Sequence, residues 1–133
     1  MNRLRDFHVH IYGPAAGEML NVGEKPPGTS SVPSSFEEAL TRLERDIPSV
    51  LLEPDGSLAW ASPSHQVVGI IYDAGQRIQY VELRGHCSGD QIRHLIATIA
   101  DTKQIDEFAV MELPNRQWNN LQGFANSLEQ NGE

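Results

Sequence analysis

Between residues 49 and 85 the chain reads as a series of apolar runs separated by very short breaks, and this leaves little freedom in the fold. SVLLE (49–53) is separated from SLAWA (57–61) by Pro54-Asp55-Gly56. After the Ser62-Pro63-Ser64 break comes QVVGIIY (66–72), which Asp73-Ala74-Gly75-Gln76 divides from RIQYVELRG (77–85). Runs rich in β-branched and aromatic residues, bounded by Pro, Gly, Asp and Ser, read as strands. Breaks this short only let a strand turn back beside its predecessor, because a parallel return needs a crossover of about a dozen residues or more. The region is therefore expected to be antiparallel. In the last run the alternation slips between Tyr80 and Val81, which marks a bulge or a strand buried on both faces.

The rest of the chain adds helices to that sheet. DFHVHIY (6–12) alternates Phe7, Val9 and Ile11 against His8, His10 and Tyr12, a strand with one core face. In SFEEALTRLERDIP, Ser35 and Glu38 form a capping box, Pro48 ends the helix, and Phe36, Ala39, Leu40, Leu43 and Ile47 form one stripe. SGDQIRHLIATIAD (88–101) carries a second stripe of Ile92, Leu95, Ile96 and Ile99. EFAVMEL (107–113) is a further strand. PNRQWNNLQGFANSLE (114–129) reads as a last helix, with Trp118, Leu121, Ala125 and Leu128 on one face. Hairpins dominate and regular βαβ alternation is lacking. The expected fold is α+β, a mainly antiparallel sheet of about five or six strands with three helices packed on it.

A chain of 133 residues fits one domain spanning 1–133. Residues 13–34, rich in Gly, Pro and Ser, form a long loop within it, pinned at most by Met19, Leu20 and Val22. Residues 130–133 are a charged tail expected to fray. The single cysteine excludes an internal disulfide and a Cys-rich zinc cluster, and suits a reducing cytoplasm. The N-terminus lacks the apolar run of a signal peptide, and no stretch is long and apolar enough to span a membrane. With 18 Asp plus Glu against 10 Lys plus Arg, a net charge of −8 opposes phosphate binding and argues against a nucleic-acid partner.

Two short motifs carry catalytic chemistry in other proteins. His86-Cys87-x5-Arg93 resembles the H-C-x5-R signature of cysteine-dependent protein phosphatases. The resemblance implies that Cys87 attacks phosphorus, Arg93 clamps the phosphate with its planar fork, and Asp55 acts as general acid. The same residues also read as a helix start. Ser88 and Gln91 suit an N-cap and its third-position partner, and Asp90 is a first-turn acid. A helix beginning at Gly89 leaves no five-residue phosphate cradle. Cys87 is then a small buried apolar residue and Arg93 a solvated helix residue. The sequence favours this second reading.

Asp6-x-His8-x-His10 resembles the opening motif of metal-dependent amidohydrolases, in which two imidazoles on one strand face hold a metal. The resemblance makes His8 and His10 candidate metal ligands. Those enzymes use barrels of roughly 200 residues or more, a size this chain does not reach, and His65, His86 and His94 are not spaced as evident further ligands. The simpler reading is a strand with a polar or partner-covered face.

No complete catalytic set emerges and no cofactor is implied, because the serine-hydrolase elbow and the common nucleotide loops are missing from the sequence. Trp118 is expected in the core and Trp60 either there or at an interface. In size, charge and coarse element order the chain resembles bacterial immunity proteins and secretion chaperones. The leading expectation is a non-enzymatic binding module acting on another protein or on itself. The alternatives are a Cys87-centred phosphatase or thiol enzyme, and a small-ligand domain with the 13–34 loop as its lid.

Overall fold

A computed structural model of the chain describes residues 3–14 and 30–130. The elements are β1 (Arg3–Leu4), β2 (Phe7–Pro14), α1 (Phe36–Asp46), β3 (Leu51–Leu52), β4 (Ser57–Ser62), β5 (His65–Ala74), β6 (Arg77–His86), α2 (Gly89–Ala100), β7 (Phe108–Glu112), β8 (Gln117–Asn120), α3 (Leu121–Asn126) and β9 (Glu129–Gln130). Seven strands form one sheet in the order β3-β4-β5-β6-β2-β7-β8, and every neighbouring pair is antiparallel. β1 and β9 pair separately, Arg3 opposite Gln130.

This is the α+β architecture expected, with more strands than the five or six read from the sequence. The excess comes largely from the C-terminal region. Residues 114–129 do not form one helix. Gln117–Asn120 continue the sheet as β8, and a single short helix, α3, follows. Asn120 ends the strand and caps the helix, its side-chain oxygen accepting from the Gly123 N–H at 2.7 Å.

The central hairpins hold register as the turn chemistry demands. Pro54-Asp55-Gly56 turns with Gly56 at φ +94°, a conformation that favours glycine, and the Asp55 carboxylate accepts from the Ser57 N–H at 2.9 Å. β5 and β6 pair from Gln66↔His86 to Ala74↔Arg77, with a shift opposite Tyr72/Asp73. The shift leaves Gln79 as an extra residue on β6, one place before the Tyr80–Val81 slip. Ile78 and Val81 both reach the core as a result, while Tyr80 turns outward opposite Tyr72.

The two faces of the sheet are unlike. One carries Phe7, Val9, Ile11, Val67, Ile71, Val81, Leu83 and Val110, all buried, and the apolar stripes of the helices join them in one core. Ser88 caps α2 through the Gln91 N–H at 3.1 Å, and Gln91 returns the bond to the Ser88 N–H at 2.8 Å, completing a capping box. Arg42 of α1 donates to the carbonyls of Thr98 and Ile99 at 2.8 and 2.7 Å, satisfying the C-terminal end of α2. Of the 13–34 segment, Gly13 and Pro14 belong to β2, and Val32 is buried in a bridge to Ile78. Met19, Leu20 and Val22 lie outside the described residues, as do residues 131–133 of the tail. Among the described residues no helix is long and apolar enough to cross a membrane.

Candidate site on the open face of the sheet

Cys87 and the His8–His10 pair go to opposite sides of the sheet, whereas His86 and Asp6, one from each motif, approach each other at 3.5 Å. Cys87 follows β6 directly and is fully buried. Burial alone pushes its thiol up from 9.0 to about 12, so the nucleophilic thiolate is strongly disfavoured at neutral pH. α2 begins at Gly89, leaving no loop between Cys87 and the helix to wrap a phosphate. Arg93 points to Asp106, with which it forms an ion pair. Asp55 sits in the turn between β3 and β4, and β4 is two strands away from β6 in the sheet. The turn holding it meets β5 at Ile70–Ile71, whereas Cys87 adjoins the Gln66 end, about 15 Å away at roughly 3.3 Å per residue. Nucleophile, clamp and acid are thus not brought together.

His8 and His10 emerge on the other face. The alternation that buries Phe7, Val9 and Ile11 turns these imidazoles away from the helices. β6 is the neighbour of β2, with Glu82 directly opposite His10 and Arg84 opposite His8. The Glu82 carboxylate lies between the rings, Oε2 at 2.6 Å from His8 Nε2 and 3.8 Å from His10 Nε2. Its other oxygen, Oε1, accepts from the Tyr72 hydroxyl at 3.1 Å. Glu82 was invisible as a partner in the sequence, because nothing local says that residue 82 will lie beside residue 10.

The electrostatics of the cluster are mixed. The hydrogen bond from His8 holds the Glu82 carboxyl below its usual range, against the opposing effect of burial and with help from Tyr72 and the imidazoles. His10 is pushed down chiefly by burial, which outweighs the attraction of Glu82. At neutral pH the cluster therefore presents an ionised carboxylate beside a neutral imidazole.

Around this cluster the open face is aromatic. Tyr72 stacks on Tyr80 with centroids 4.6 Å apart, and Tyr80 stacks on His10 at 4.9 Å. Tyr12 lies 5.2 Å from Tyr80 and 5.7 Å from Trp118. The row runs from β5 across β6 and β2 to β8. Burial raises the Tyr12 hydroxyl pKa, as does repulsion from Tyr80. Trp118 is buried as expected, 7% exposed, but it packs on this face and not on a helix stripe, because β8 places it opposite Met111 and next to Tyr12. Two depressions of about 370 and 400 Å³ share Arg84 in their linings, one reaching Ser57 and Ile70, the other Asp6 and His86.

Trp60 is in the core, its indole N–H donating to Ser49 Oγ at 3.1 Å. His65 is also buried, its Nδ1 2.7 Å from Ser62 Oγ and 3.0 Å from Gln91 Nε2, so it ties the β4–β5 hairpin to the cap of α2. No protein-family model, curated protein or solved structure matches the chain.

Proposed function

We propose that the protein is a binding module whose working surface is the open face of the sheet, and that its partner is another protein presenting a basic segment. The observation that carries the reading is the continuous Tyr72–Tyr80–Tyr12–Trp118 row, with His10 stacked on Tyr80, on a face that no described helix covers. Tyr and Trp supply rigid contact area at low entropic cost and are the residues most often found at interface hot spots. Their ring faces attract guanidinium and ammonium groups. The net charge of −8 draws a basic segment in and speeds encounter.

The test is an NMR titration of the ¹⁵N-labelled protein with a short peptide of alternating arginine and leucine. Shifts confined to outward residues of β2, β5, β6 and β8, weakening with added salt, support the reading. Shifts on the helices, or none at about 1 mM peptide, overturn it. A concentration-dependent dimer through the same face would replace the basic partner with a second copy of the chain.

A further inference from the structure

We infer that His8, His10 and Glu82 form a binding site for one divalent transition-metal ion of the zinc class, with a coordination position left open to solvent. The inference goes beyond the protein-binding reading and stands without it. One ring nitrogen each of His8 and His10 and a Glu82 oxygen all lie within 4.8 Å of one another. Bonds of about 2.0–2.1 Å to a tetrahedral ion would hold such atoms about 3.4 Å apart. The two imidazole–carboxylate separations, 2.6 and 3.8 Å, bracket that distance. A metal replacing the proton between His8 and Glu82 needs the first separation to open by about 0.8 Å and the second to close by about 0.4 Å, within the reach of side-chain torsions.

A simple hydrogen-bonded His–Glu pair needs one imidazole, and this carboxylate has two. Its oxygens are also divided. Tyr72 occupies Oε1, which leaves Oε2 facing both rings and fixes the carboxylate as an outer hydrogen bond does at known metal sites. Tyr80, stacked on His10, restrains that ring. The ligands stand on two paired strands near the middle of the sheet, so the backbone positions are set before an ion arrives. Two imidazoles with one carboxylate suit Zn²⁺, Co²⁺ or Ni²⁺ better than Mg²⁺ or Ca²⁺, which prefer oxygen. With three protein ligands and His8 38% exposed, the next position faces water.

The experiment is titration of the purified chain with Co²⁺, read by visible absorption, and with Zn²⁺, read by calorimetry. The expected result is one ion per chain, a cobalt spectrum of low coordination number, and no comparable affinity for Mg²⁺. His8→Ala, His10→Ala and Glu82→Gln should each weaken binding by about tenfold or more, while His86→Ala leaves it unchanged. Because substitutions in a central strand can disturb folding, ¹H–¹⁵N spectra of the imidazoles in the unaltered protein give an independent reading. Zn²⁺ should move the Nε2 resonances of His8 and His10 and leave those of His65 in place. Absence of binding at about 1 mM metal, equal affinity for Mg²⁺, or shifts confined to other histidines would each overturn the assignment.

Discussion

Leu83 and Glu82 are neighbours in one strand, yet they belong to different parts of the molecule. Leu83 is fully buried beneath the helices, whereas Glu82 stands on the open face between two imidazoles. The same division separates Cys87, sealed in the core, from His8, more than a third exposed. Chemistry-bearing residues acquire meaning from the face to which the period-two alternation delivers them. A nucleophile signature buried under a capped helix has lost access to substrate and to the thiolate form. Two histidines on an open face gain whatever the next strand provides.

The largest test of that contrast is Leu83→Ala against Glu82→Gln. The first removes a buried side chain and is expected to cost about 2–5 kcal/mol. The second alters a partly exposed pair and is expected to cost about 1 kcal/mol or less. Urea denaturation measures both, and equal losses would break the two-face account.

Cys87→Ser comes next. A hydroxyl in a site that is 0% exposed is expected to cost about 1–3 kcal/mol. A thiol waiting at the mouth of an active site would accept the same change with little loss of stability.

A smaller effect concerns pH. Burial, then repulsion from His86, pushes His65 below 6.5, and Ser62, Gln91 and Trp60 surround its ring. Above pH 6.5 the group is neutral in both folded and unfolded chains. As pH falls through 6.5 the unfolded chain takes up the proton first, so stability declines toward the lower folded-state value. In His65→Gln the decline between about pH 6.5 and 5 should be shallower than in the unaltered protein. An identical slope would remove His65 as its source.

The smallest effect is expected from Tyr72→Ser on the open face. Tyr72 is 37% exposed, and the change should stay within about 0.5–1 kcal/mol while removing part of any partner affinity.

Local signals account for what the sequence made legible. The Pro54-Asp55-Gly56 turn, the alternation of DFHVHIY, the Ser35 cap and the Ser88/Gln91 capping box act within a few residues, and the structure contains them. The Glu38 carboxylate, however, accepts from the Ser35 hydroxyl and not from its N–H, so the first helix has a cap without the full box. The 114–129 segment misled because Trp118, Leu121, Ala125 and Leu128 are spaced as a helical stripe. Asn120 followed by Gly123 was the contrary signal, a cap lying inside the supposed helix. His8 and His10 sharing a face was equally local. Their carboxylate lies 74 residues away, brought in by a strand order that tertiary packing decides.

The central claim, that the working surface is the open histidine-bearing face and not the Cys87 position at the start of α2, is met most directly by a paired modification of the folded protein. One sample is treated with iodoacetamide and diethyl pyrocarbonate and mapped by mass spectrometry as pH is varied, with and without vanadate. The account predicts that His8 is modified while Cys87 stays unalkylated until the chain is unfolded, whatever the oxyanion. Alkylation of Cys87 in the folded protein at neutral pH, with protection by vanadate, would contradict it.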